Sequence, residues 1–158
     1  SRLNAENSWL SLQMNKNLSV QIFRLSGIYS NEKNILARLK LGTAKLINKN
    51  YHYFSRIHVE DIANILFKSL FKFKSGEIYN LADDKPSSSE EITLYGAKLL
   101  NIKNLEKIEI NEVENEILKN FYKDSKKVSN KKTKIFFSYN FKFPTYVEGL
   151  DYIRDNFI

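Results

Sequence analysis

Ser26 and Gly27 close a short apolar run, Ser19-Val-Gln-Ile-Phe-Arg-Leu25, and that placement gives them chemical interest. Open α/β sheets take their ligands just beyond the carboxyl ends of parallel strands. A glycine there lets a ligand approach the backbone closely, and a serine hydroxyl can both donate and accept. Further on, Phe54-Ser-Arg-Ile-His58 holds a cation and an imidazole two residues apart. Alternation along a strand points Phe54 and Arg56 to one face, so Arg56 can enter a cleft on that side. His58 reads as a packed, hydrogen-bonded residue more than as a base. Asp61 reads as structural, a carboxylate in the first turn of a helix, where the dipole favours negative charge. Asp83 and Asp84 are paired acids, but a solvated turn explains them, and they receive no acid–base role. Asn80 is placed to tie a strand to a loop. Lys123 to Lys134 is the densest basic run. A nucleic-acid binder would use it for phosphates, with Tyr122 and Phe136 for stacking.

These groups need elements to hold them. Arg2 to about Asn15 reads as a helix with Leu3, Leu10 and Met14 on one face, ended by Asn17. Ser19 to Leu25 is the kind of β-branched-rich strand that a parallel sheet buries on both faces. Asn34 to Leu41 reads as a helix closed by Gly42, and Lys45 to Asn48 and Tyr53 to Ile57 as strands. From Val59 the spacing of Val59, Ile62, Ala63, Leu66 and Leu70 predicts the clearest helix. Gly76 turns the chain into a strand, Glu77 to Leu81. Ser88 with Glu91 forms a capping box for a helix to Leu100. Val113, Ile117 and Phe121 mark another helix; Tyr146, Leu150, Ile153 and Phe157 mark the last, entered through Pro144. Strands alternating with helices mean an α/β fold. With no repeat and no Pro/Gly-rich linker, residues 1–158 read as one domain.

Composition narrows the classes. At 158 residues and 42% hydrophobic, the chain can bury a real core. It has no apolar run long enough to span a bilayer, and nothing at its start reads as a signal peptide. The absence of cysteine excludes disulfides, Cys-ligated zinc and thiol chemistry, and suits a cytoplasmic protein. With only His52 and His58 as histidines, no metal site is expected. The net charge of +7 is spread as Lys along the whole chain beside abundant Asn and Ile. That pattern fits compositional drift better than a selected nucleic-acid surface, and it also suits an anionic small-molecule substrate.

Read in order, three segments resemble one family: Arg24-Leu-Ser-Gly-Ile-Tyr29, Phe54-Ser-Arg-Ile-His-Val-Glu-Asp-Ile-Ala63 and Glu77-Ile-Tyr-Asn-Leu-Ala-Asp-Asp-Lys-Pro86. Together with Phe143-Pro-Thr-Tyr146 and Glu148-Gly-Leu150 they are similar to the carboxyl-terminal half of the NAD-dependent epimerase/dehydratase family, the extended or atypical short-chain dehydrogenases. The resemblance implies the C-terminal part of a Rossmann-like NAD(P)-binding fold, parallel strands with helices, plus a small mainly helical substrate lobe. It implies that the amino-terminal Gly-rich dinucleotide-binding part is absent from these residues. The implied cofactor is NAD or NADP and the implied substrate a nucleotide sugar or related hydroxyl compound, epimerised, dehydrated or reduced by an enzyme that can form a homodimer.

The same resemblance assigns residues. Arg24 to Tyr29 matches the strand end that passes under the nicotinamide ring, so Leu25, Ser26 and Gly27 are the implied cofactor contacts. Tyr29, Arg56 and His58 are the implied substrate contacts. The family's proton-transfer pair is a Tyr and a Lys on a helix, with the Lys followed by a small residue and a Glu. Matching Ala5-Glu6 to that ending puts Arg2 where the Lys stands, as the implied catalytic cation, with the Tyr before Ser1. A neighbouring cation lowers the pKa of a proton-transferring tyrosine; Arg supplies that charge but cannot itself release a proton. Two departures stand out: Ser30-Asn31 replaces Gly-Pro, and Phe54 stands where sugar-nucleotide epimerases keep a pyrophosphate-gripping Arg. The basic run is similar to a late family segment and reads as a solvated helix face with one or two substrate-facing cations. The expected outcome is half an enzyme that alone neither binds dinucleotide tightly nor turns over. The alternatives are a non-catalytic binding module of the same fold and, less favoured, a small basic nucleic-acid-binding domain.

Overall fold

This computed structural model describes residues 1–16, 18–49 and 51–158, and their side chains except those of Asn48, Ile117 and Phe121. In chain order come helix α1 (Arg2–Lys16), strands β1 (Ile22–Leu25) and β2 (Gly27–Tyr29), helix α2 (Ile35–Lys40), strands β3 (Leu46–Asn48) and β4 (Arg56–His58), and helix α3 (Val59–Ser69). There follow strand β5 (Ile78–Leu81), helix α4 (Ser89–Leu99), strand β6 (Lys107–Glu109), a 3-10 turn (Ile110–Glu112), and helices α5 (Glu116–Lys123), α6 (Lys131–Phe137) and α7 (Tyr146–Phe157). The fold is α/β, with every strand pair parallel.

One run of chain serves two neighbours. β1 pairs with β5, Ile22 opposite Ile78 and Leu25 opposite Leu81. At Ser26 the partner changes. The Ser26 N–H still donates to the Leu81 carbonyl at 3.0 Å, but the Gly27 N–H donates to the Ser55 carbonyl at 3.0 Å, and β2 continues along β4. The segments around residues 24–29 and 54–63 therefore lie side by side.

Helix boundaries follow local chemistry. His58 caps α3 by accepting the Glu60 N–H on Nδ1 at 3.2 Å, and Ser88 caps α4 by accepting the Glu91 N–H at 2.9 Å. Thr145 and Glu148 form a reciprocal box at the start of α7. Gly42 and Gly76 take φ of +66° and +82°, left-handed values that glycine adopts without strain, and so end α2 and turn the chain into β5.

Apolar clusters flank the strands. Ile57, Ile62, Ile65, Tyr79, Leu81, Phe137 and Phe141 form one. Tyr29, Leu36, Ile92, Tyr146, Leu150 and Ile153 form another, between α2, α4 and α7.

Several expectations need correction. The first strand begins at Ile22, after Ser19 and the buried Val20. The strand expected at Tyr53–Ile57 is the three-residue β4, preceded by an isolated bridge from Phe54 to Ser87. In α3 the buried positions are Asp61, Ile62 and Ile65, while Leu66 and Leu70 face solvent, so the apolar stripe is narrower than its spacing implied. Val113 is buried but lies before α5. The side chains of Ile117 and Phe121, and the helix stop at Asn17, lie outside the described residues. Strand β6, three residues with only Ile108 apolar, is too short to be read from its pattern and is held by its parallel pairing with β3.

Candidate functional site

The partner change at Ser26 leaves a rim at the carboxyl end of β1. Leu25 and Gly27 are exposed there and Ser26 is half-buried. A Cβ on Gly27 would meet the Ser55 carbonyl at 3.4 Å, an ordinary contact, and its φ is not left-handed. Packing therefore does not require glycine at this point. Beside the rim, Arg24 binds Glu6 through two nitrogens, Nε to Oε1 at 3.0 Å and Nη2 to Oε2 at 2.6 Å, and so docks α1 on β1. The Arg24 hydrogen bond holds the Glu6 carboxyl below its ordinary range. Arg2 sits one turn before Glu6, solvent-exposed, with no ion pair among the described residues.

Tyr29 and Arg56 meet at a small cavity of about 60 Å³, walled by Tyr29, Asn34, Arg56, Ile92, Tyr146 and Leu150. Arg56 Nη1 donates to the carbonyls of Phe54 at 3.1 Å and Ser87 at 3.0 Å, and the guanidinium lies 5.5 Å from the Phe54 ring centre. Phe54 and Arg56 thus share one side, as strand alternation predicts. Burial lowers the Arg56 pKa to about 10, with the charge of Asp83 pulling it back. The Tyr29 hydroxyl is buried without a hydrogen-bond partner among the described residues. Desolvation, reinforced by the charges of Asp83, Asp61 and Glu148, pushes its pKa far above the ordinary phenol value and keeps it protonated.

His58 stands behind this pair. Its ring meets Tyr29 edge-on at 5.0 Å and Phe143 at 4.2 Å. With Nδ1 engaged by Glu60, its Nε2 is buried and has no partner among the described residues, and desolvation lowers its pKa. Asp61, fully buried, does not cap its helix. It accepts from the Tyr139 hydroxyl at 2.6 Å and from the Lys142 and Phe143 amides at 2.7 and 3.0 Å, fastening α3 to the segment that leads into α7.

Asp83 is the residue that sequence reasoning misplaced. Far from being solvated, it is buried, and neither carboxyl oxygen completes a hydrogen bond among the described residues. Desolvation raises its pKa to about 7, opposed chiefly by the Arg56 charge. Asp84 does lie in an exposed turn, paired with Lys134 at 2.8 Å. The available signal was position: Asp83 directly follows the fully buried Leu81 and Ala82. Tyr146, Glu91 and Asn34 were also passed over. The Tyr146 hydroxyl donates to Glu91 at 2.8 Å, and Lys85 pairs with the same Glu91 oxygen at 2.8 Å.

The basic run is not one helix face. Residues 124–130 lie between α5 and α6, and Lys126, Lys132 and Lys134 pair with Asp124, Glu77 and Asp84. Tyr122 is buried, and Phe136 packs 4.9 Å from Tyr79, so neither offers a stacking platform. A larger open groove of about 580 Å³ runs past Lys74, Glu77, Lys132 and Phe136. Hydrogen bonds from Lys132 and Lys74 hold the Glu77 carboxyl at about 2, so its charge is already matched and the groove is a weaker site candidate than its volume implies. No cluster of three His, Cys, Asp or Glu residues able to hold a metal occurs among the described residues.

No protein-family model and no curated protein matches the chain. Solved structures do. A functionally unknown conserved protein from Silicibacter pomeroyi DSS superposes with a TM-score of 0.91 at 31% identity, over 98% of this chain and 54% of that one. The dTDP-glucose 4,6-dehydratase of Bacillus anthracis str. Ames, solved with NAD, matches with a TM-score of 0.72 at 19% identity, over 96% of this chain and 48% of its own. The UDP-glucose 4-epimerase of Thermotoga maritima, solved with UDP-glucose, matches with a TM-score of 0.75 at 13% identity, over 98% and 51%. The chain spans about half the length of the structures it matches, and the likeness to the two enzymes establishes a shared fold.

Proposed function

We propose that this chain is the substrate-side half of an NAD(P)-dependent epimerase, dehydratase or reductase acting on a nucleotide sugar or related hydroxyl compound. Its working form is a cytoplasmic enzyme that can form a homodimer, and residues 1–158 alone are inactive. The observation that carries this reading is the rim at Leu25–Gly27, where β1 leaves β5 and β2 joins β4. A fold shared with a dehydratase bound to NAD and an epimerase bound to UDP-glucose supports it.

The chain's own groups then take definite tasks. Leu25, Ser26 and Gly27 offer a flat backbone edge to the nicotinamide ring, with the Ser26 hydroxyl free to orient its carboxamide or a substrate hydroxyl. The bound dinucleotide supplies the hydride chemistry. Arg2 contributes positive charge beside the proton-transferring tyrosine, favouring its ionised form. Tyr29 and Arg56 face the substrate, and His58 keeps the Tyr29 ring in place from behind. Among the described residues no helix is long and apolar enough to cross a membrane.

The test compares the full-length protein with residues 1–158. Calorimetry with NAD and NADP should show binding by the former only, and NMR should show NAD(P)-dependent conversion of a nucleotide sugar. Micromolar dinucleotide affinity in residues 1–158, or none in the full-length protein, would refute the proposal.

A further inference from the structure

The two outer edges of the β1–β5 pair differ. On β5 the backbone groups of Tyr79 and Leu81 belong to the β1 side of the register, and those of Ile78 and Asn80 face outward. The outward carbonyls are already taken. From α6, Lys132 Nζ donates to Ile78 at 2.9 Å and Thr133 Oγ1 donates to Asn80 at 2.6 Å. An edge covered in this way does not recruit another strand.

The outer edge of β1 has no such cover. The Ile22 and Ser26 N–H groups donate to Glu77 and Leu81, so alternation turns the backbone groups of Phe23 and Leu25 to the opposite edge. Neither a strand nor a capping side chain meets them among the described residues. Leu25 is exposed, whereas a strand within a parallel sheet is ordinarily buried on both faces. Next along the same edge, the Gly27 N–H donates to Ser55 and brings in β4. Residues 21–25 are therefore a bounded stretch of open edge, long enough for one short strand and stopped at its carboxyl end by β4.

Helix α1 is bare on the same side of the molecule's architecture. None of its residues is buried, and Leu3, Trp9 and Met14 are exposed. It is held to one face of β1 by the Arg24–Glu6 pair, while Phe23 on the opposite face packs against Tyr79 and Phe137. A helix that leads into a strand and lies on its face has the position of a crossover from a parallel neighbour. About half of each matched structure lies outside the part that superposes on this chain.

We infer that the open edge at residues 21–25 takes a parallel strand from the remaining half of the same enzyme, joined to β1 through α1, with its carboxyl end beside Leu25 at the rim. This rests on the proposed reading of the chain as half of an enzyme, and it names the place where the other half attaches. The incoming strand is apolar and β-branched-rich, as burial on both faces demands, and its neighbouring elements cover Trp9 and Met14. A second copy of the chain, related by a two-fold axis, would instead lie antiparallel to β1.

Amide hydrogen exchange in the full-length protein, read residue by residue by NMR, tests this. Phe23 and Leu25 should be protected to within about tenfold of Ile22, at every protein concentration, and their cross-strand contacts should follow a parallel register. Trp9→Lys should lower the melting temperature by several degrees, since it places a charge where apolar surface is covered. Fast exchange at Phe23 and Leu25 beside a protected Ile22 would overturn the inference, as would an unchanged melting temperature in Trp9→Lys. Protection that vanishes on dilution, or an antiparallel pattern of contacts, would overturn it in favour of a second copy. An unpaired edge in a protein that still binds NAD(P) would remove this attachment site and leave the broader function standing. A paired edge in a protein that does not bind NAD(P) would do the reverse.

Discussion

The Tyr29 hydroxyl occupies the space that a side chain at Gly149 would need: a Cβ there would lie 2.0 Å from the oxygen and 2.8 Å from the ring. Helix α7 approaches β2 this closely because position 149 is bare. Gly149→Ala gains helix propensity worth about 1 kcal/mol but forces the Tyr29 ring aside, and overpacking of this kind costs about 1–3 kcal/mol or more. Urea denaturation should show net destabilisation. Tyr29→Phe should restore only part of it, because the ring edge still clashes; an unchanged midpoint in Gly149→Ala would contradict the packing described.

Asp61 should be among the least replaceable residues. Its carboxylate is fully buried and accepts three hydrogen bonds from the 139–143 segment. Asp61→Ala leaves those donors unsatisfied and should cost about 3–5 kcal/mol. Amide exchange should accelerate at Lys142 and Phe143 before it does in β1 and β5. Uniform acceleration across the chain would argue against a local fastening role.

Asp83 sets a pH dependence of stability with a definite sign. Its folded pKa, about 7, lies above the ordinary carboxylate value of 3.8, so the folded state holds the proton more tightly. Stability should therefore fall as pH rises from about 4 to 7 and level off above that. Asp83→Asn removes this term and should be more stable than the parent at pH 8 by about 2–4 kcal/mol, with little difference at pH 4. Thermal melts at the two pH values provide the measurement, and a constant difference between the proteins would count against it.

Gly27→Ala separates fold from function. The added methyl meets only ordinary contacts, so the melting temperature should change by no more than a few degrees. If the rim lies under a nicotinamide ring, dinucleotide affinity of the full-length protein should drop at least tenfold. Equal affinity in the two proteins would move the cofactor elsewhere.

Much of the architecture was readable because local signals and burial agreed. Ser88-x-x-Glu91 announced α4, Gly42 and Gly76 marked their turns, and the apolar run before Gly27 became β1. Legibility failed where long-range pairing decided. Strand β6 offers a single apolar residue, Ile108, and exists through its pairing with β3. Asp83 carries a turn-forming residue type, yet the chain around it is covered by elements distant in sequence, which residue type alone does not reveal. At the site, glycine at the strand end and a cation on the facing strand were visible from spacing. The walling of the cavity by Ile92, Tyr146 and Leu150 depends on how α4 and α7 settle together, and no local pattern encodes that.

Asp61 has a consequence well beyond its own surroundings. By clamping residues 139–143 it fixes the approach of α7, and that helix presents the bare backbone against which Tyr29 leans. Positions 29, 61 and 149 are thus mutually dependent although far apart in the chain. Transplanting the Arg56 cavity into another scaffold would require all three together, since any one of them moved alone would arrive without the surface that gives it its shape.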